Sequence, residues 1–94
     1  RESLYAAMKQ LSKDGIRLVG ADMGGRAMGD ANLRGSVVIV LGSEGRGLSP
    51  KVRERCDDIV SIPLAGGLES LNVSVAGALL MYEKRRQDGW FSAT

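Results

Sequence analysis

Two short stretches of this sequence carry the side chains that could do chemistry. The first is "GSEGRG", residues 42 to 47, in which Glu44 stands among three glycines. A carboxylate there can accept hydrogen bonds from neighbouring backbone N–H groups or grip a cationic group. The bare backbone around it lets a flat ligand approach closely. The second is "AGGLESLN", residues 65 to 72, where Gly66 and Gly67 allow a sharp bend ahead of Glu69, Ser70 and Asn72. Ser70 or Asn72 could hold a ligand, and either could simply cap a following helix. Both loops also have a plainer reading as tight turns with a solvated carboxylate. The glycine spacing G-x-x-G-x-G is not the dinucleotide fingerprint, and no G-K-[ST] follows to make a phosphate-binding loop. Arg34, Arg46, Lys51, Arg53 and Arg55 lie in or near the first loop. A charge run is usually a solvated face, but five cations beside a glycine-rich loop would suit a phosphate backbone.

The residues that are missing narrow the chemistry further. The 94-residue chain has no histidine and one cysteine, Cys56. A disulfide framework and a Cys/His zinc cluster are excluded, and so is any histidine base within this chain. A reduced, cytoplasmic setting is expected. No apolar run reaches the roughly 20 residues of a membrane span. The net charge of +2 is too small to identify a nucleic-acid partner by itself. The chain does not begin with Met, and a start that is processed or cut from something longer is expected.

Regular elements must position these loops. "ESLYAAMKQLSKD" places Leu4, Ala7, Met8 and Leu11 at helical spacing, and Gly15 stops it. "IRLVGAD" follows as a short strand. "MGGRAMGDANLRG" has no sustained period and four glycines, and reads as a loop. "SVVIVLG" is a β-branched run typical of a strand buried on both faces. Ser49 before Pro50 marks a helix start, with "KVRERC" as the helix. "DDIVSIP" is another strand. In the last segment Leu71, Val75, Leu79 and Tyr82 fall at helical spacing. Leu71, Val73 and Val75 also alternate like a strand, which leaves the first turn open. "MYEKRRQDG" reads as a helix emerging into water with cations at its C-terminal end. The order α-β-loop-β-α-β-α predicts an α/β layer structure with a mainly parallel sheet. Ligands of such sheets sit at the carboxyl ends of the strands, which is where both polar loops fall.

Taken together, "LGSEGRGLS" and "IPLAGGLESLNVSVAGALLMYE", joined by one helix and one strand, resemble the SpoU (TrmH-like) RNA ribose 2′-O-methyltransferases of the SPOUT class. The closest likeness is to bacterial members that methylate a guanosine of large-subunit ribosomal RNA. The resemblance implies an α/β knot fold, in which the C-terminal chain threads a loop to form a deep trefoil knot. Such a knot is a rare exception to the rule that chains do not thread loops. It also implies a domain of which residues 1–94 are the C-terminal part, with S-adenosylmethionine in a knot at about residues 37–87. Gly42, Ile62 and Leu71 match positions that hold this cofactor. Glu44, Ser70 and Asn72 match active-site positions that orient the target ribose. No metal is implied. The expected partners are RNA, ribosomal before transfer RNA, and a second copy paired through the knot and the last helix. The family's first motif, an Asn with a catalytic Arg, lies upstream and has no match before residue 37. Arg46 and Arg53 are not substitutes for it. The other reading is a non-catalytic RNA-binding or dimerisation fragment that keeps the cofactor-binding knot.

Overall fold

The structure is a computed structural model that describes residues 4–42, 46–63 and 72–89. Helix α1 (Leu4–Lys13) leads into strand β1 (Arg17–Ala27), a 3-10 turn (Met28–Asp30) and strand β2 (Val37–Leu41). Helix α2 (Pro50–Arg55), strand β3 (Asp58–Ser61) and helix α3 (Val73–Gln87) complete the described chain. The three described strands form one parallel sheet in the order β2-β1-β3. The expected α/β class is therefore what the chain adopts.

Local chemistry ends and starts the helices where the sequence says it should. At the end of α1 the Gly15 N–H donates to the Ser12 carbonyl and the Ile16 N–H to the Leu11 carbonyl. Gly15 takes φ +81°, the left-handed conformation this cap needs. At the start of α2 the Ser49 hydroxyl accepts from the Val52 N–H at 3.3 Å, with Pro50 as first helical residue.

The sheet has a core on each face because side chains alternate along a strand. Leu18 and Val40 pack with Met8 and Leu48 beneath α1 and α2. Val19 and Val60 pack with Ala31, Leu33 and Leu80 beneath α3. These residues are nearly or wholly buried, and they hold the strand ends in one rigid frame.

Three expectations need correction. β1 does not stop at Asp22. Ala21 and Arg26 both pair with Val60, so the chain leaves the ladder, makes a bulge of residues 22–25, and rejoins β3 through Ala27. Gly24 sits at φ +79°, and a Cβ on Gly25 would collide with the Ile59 carbonyl. The glycines that read as loop are what a bulge requires. Second, β2 is not buried on both faces: Val40 is buried, while its neighbours are half-buried at an edge of the described sheet.

Third, the end of α3 emerges into water on one side only: Met81, Tyr82, Arg85 and Arg86 are exposed as expected, but Glu83, Lys84 and Gln87 turn inward. Gln87 accepts from the Leu33 N–H at 2.8 Å and donates to the Ala31 carbonyl at 2.9 Å. Lys84 donates to the carbonyls of Leu33 and Gly35 and pairs with Asp88. Arg34 Nε donates to the Gln87 carbonyl. This polar lock lies beside the solvated face and gives the carbonyls of Ala31, Leu33 and Gly35 partners under the helix.

Glu83 anchors the lock from inside. It is 8 % exposed. Hydrogen bonds from Arg86 and Gln87 hold its carboxyl at about 2 against a usual 4.5. A lowered folded-state pKa stabilises the fold above the unfolded value, and the gain fades as pH falls from 4.5 through about 2. Glu83→Gln should therefore lose stability at neutral pH, and its gap from wild type should close on acidification. Urea denaturation of both proteins between those limits checks this; a gap that does not change with pH would contradict it.

Candidate functional site

The parallel strands bring their carboxyl ends to one edge of the sheet. Gly42 directly follows β2 and Ile62 directly follows β3. α3 runs past the same region: its Gly77 is buried, and a Cβ there would sit 3.1 Å from Leu41 Cδ1. Ile62 and Leu41 pack on the core of Val19, Leu33, Val60 and Leu80 and are only half-buried. Two strand-end backbones and a partly uncovered apolar floor are what the adenine of a nucleoside cofactor needs. The residues present thus fit S-adenosylmethionine at this edge.

Gly42 has a further reason to be glycine. An added Cβ would run into the Gly47 carbonyl and come within 2.7 Å of the Leu48 nitrogen. The two ends of the 42–48 loop therefore touch backbone to backbone. Asn72, the residue before α3, accepts from the N–H groups of Ser74 at 2.8 Å and Val75 at 3.4 Å. Of its two sequence readings, helix cap and ligand holder, the geometry shows the cap. Glu44, Ser70 and Leu71 lie outside the described residues, as do residues 64–70 of the expected knot.

Four of the five cations near the first loop have partners inside the protein. Arg53 Nη1 donates to the Asp22 carboxylate at 2.9 Å and to the Met23 carbonyl at 3.2 Å. Arg34 serves the α3 lock. Lys51 lies 4.3 Å and Arg55 5.7 Å from the centre of the Tyr5 ring. Arg34, Arg46 and Lys51 are nonetheless exposed.

The residue that sequence reasoning missed is Asp22. Burial works against its charge. Hydrogen bonds from the Met23 and Leu48 N–H groups and the Arg53 ion pair outweigh that and hold its pKa below the usual carboxylate range. The only sequence signal was its place at a predicted strand end. Burial, with Asp57 nearby, pushes the Cys56 thiol up, away from the reactive thiolate form. Among the described residues no group of three or more metal-ligating side chains occurs. None of their helices is long and apolar enough to cross a membrane.

The model of the SpoU rRNA Methylase family matches residues 1–82. This chain belongs to the SpoU family. A SpoU relative in Mycobacterium ulcerans, named as an uncharacterized tRNA/rRNA methyltransferase, is 46 % identical over 86 residues. That match covers 90 % of this chain but only 28 % of the relative. Among solved structures, an RNA 2′-O ribose methyltransferase superposes with a TM-score of 0.84 at 36 % identity, over 92 % of this chain and 34 % of that one. The SpoU methyltransferase AviRb from Streptomyces viridochromogenes, solved in complex with AdoMet, superposes at 0.81 with 34 % identity. It is covered over 36 % of its length, against 90 % of this chain. The SpoU chain described above spans about a third of the length of these relatives.

Proposed function

We propose that the full-length protein carrying this chain transfers a methyl group from S-adenosylmethionine to a ribose 2′-hydroxyl of RNA, in the cytoplasm. Ribosomal RNA is the first substrate to test, ahead of transfer RNA. The observation that carries this reading is the meeting of Gly42, Ile62 and the N-terminal half of α3 at the carboxyl edge of a parallel sheet. A structure this chain closely matches is the one solved with AdoMet.

Residues 1–94 are then the C-terminal part of the catalytic domain, with the cofactor knot at about residues 37–87. The bound cofactor supplies a methyl group on a sulfonium, an electrophile that needs no metal. Gly42, Ile62 and Leu71 hold its adenine, largely through main-chain groups. Glu44, Ser70 and Asn72 orient the ribose, with Asn72 acting while it caps α3. Leu71→Arg in the full-length protein should abolish cofactor binding, because a charge placed in an apolar slot must be buried there without a partner. Calorimetry that finds unchanged affinity in a folded variant would defeat the reading.

The same reading includes a homodimer. α3 turns Leu80 fully inward, yet Val75, Leu79 and Tyr82 form an exposed stripe at helical spacing, with Met81 59 % exposed beside it. An apolar stripe of this kind is covered in a stable protein, and a second copy laid on α3 covers it. Sedimentation of the full-length protein at micromolar concentration should show a dimer; a folded monomer would count against it.

A further inference from the structure

We propose that Asp22 is a positioning residue for the cofactor loop, holding residues 46–48 in the shape that lets Gly42 serve the cofactor. This rests on the S-adenosylmethionine reading given above and adds to it a residue outside both sequence motifs.

The device begins in the bulge. Ser61 closes its mouth: its hydroxyl donates to the Asp22 carbonyl at 2.6 Å and accepts from the Gly25 N–H at 2.7 Å. With the backbone of residue 22 pinned this way, the carboxylate is carried off the sheet toward the neighbouring loop. One oxygen, Oδ1, accepts from the Met23 N–H at 2.7 Å. The other, Oδ2, accepts from the Leu48 N–H at 3.2 Å and from Arg53 at 2.9 Å. Only 16 % of the Asp22 side chain is exposed, so these bonds face little competition from water.

The loop is shaped to receive that carboxylate. Gly47 adopts φ +71°, and a side chain there would strike Asp22, with Cγ only 3.0 Å from an added Cβ. On its other side, Gly47 is the backbone that Gly42 packs against. A continuous path of contacts therefore runs from Ser61 through Asp22 to residues 47 and 48, and from there to Gly42. Arg53 ties the same carboxylate to α2 and, through the Met23 carbonyl, to the bulge. The bulge, residues 46–48 and α2 are thus joined at one charged group. Asp22 acts through the loop it holds, so its removal should change cofactor affinity and leave the chemical step alone.

The test uses full-length protein, with calorimetry of S-adenosylmethionine binding and methyl-transfer kinetics at saturating cofactor. Asp22→Asn keeps the size and removes the charge. It should weaken cofactor binding by about tenfold or more, with kcat at saturation unchanged. Its Leu48 amide should exchange hydrogen faster. Gln87→Ala, which damages the α3 lock instead, is the comparison for simple destabilisation and should leave cofactor affinity near wild type. If Asp22→Asn does not fold, Arg53→Met carries the test, with a loss in the same direction. Unchanged affinity in the Asp22 or Arg53 variant overturns the proposal. So does an equal loss in Gln87→Ala at a matched drop in melting temperature. Wild-type protein that binds no S-adenosylmethionine overturns the cofactor reading itself, and this proposal with it.

Discussion

Gly42→Ala in the full-length protein is expected to raise the dissociation constant for S-adenosylmethionine by about 10- to 100-fold, the equivalent of ~1–3 kcal/mol of overpacking. The new methyl group would meet the carbonyl of Gly47 and the nitrogen of Leu48. Both are backbone atoms, so no side-chain rotation can relieve the clash. Either Leu41–Gly42 moves off the sheet or residues 46–48 move away. The second movement also pulls on the Leu48 N–H bond to Asp22. Gly29→Ala is the control, since a Cβ there meets nothing within 4 Å. Calorimetry and a melting curve on the two variants suffice. Wild-type affinity and melting temperature in Gly42→Ala would mean that the close approach of the loop ends has no functional weight.

The second large effect concerns the chemical step. The 94-residue chain alone should transfer no measurable methyl group, whereas the full-length protein should methylate RNA at a ribose 2′-hydroxyl. A ribose hydroxyl is a poor nucleophile at neutral pH. Something must take its proton or stabilise the forming alkoxide, and loss of one such group costs about 10²–10³ in rate. Three of the described cations around the sheet are otherwise engaged. Arg53 is held by Asp22 and the Met23 carbonyl, Arg17 by the carbonyls of Asn32 and Arg34, and Lys84 by the α3 lock. The Asn72 oxygen caps α3. The family resemblance places the required arginine in an upstream motif that has no match in this chain. Radiolabelled cofactor offered with ribosomal and transfer RNA to both proteins, followed by nucleoside analysis, tests the whole statement. Robust transfer by the short chain would show that its own residues suffice. A base-methylated product would refute the ribose assignment, and label in transfer RNA alone would refute the ribosomal one.

Much of this protein was legible in the sequence because it depends on local chemistry. Gly15, Ser49 with Pro50, and the β-branched run from Val37 act through their own backbone preferences or those of near neighbours, and each element appears where those residues place it. The alternation of apolar helices and strands carried the α/β class, and the two glycine-rich motifs carried the family. The tertiary structure decided what depends on residues far apart in the chain. The glycines at 24 and 25 read as a loop until β3 lies beside them and makes a bulge. Arg53 and Arg34 read as solvated cations until Asp22 and the end of α3 arrive from 31 and 53 residues away. Lys84 and Gln87 read as a wet helix end until the carbonyls of Ala31, Leu33 and Gly35 lie beneath them. Periodicity records which face of an element is apolar. It holds no record of which distant carbonyl or carboxylate will pair with a charged side chain, because that pairing exists only once the backbone has folded.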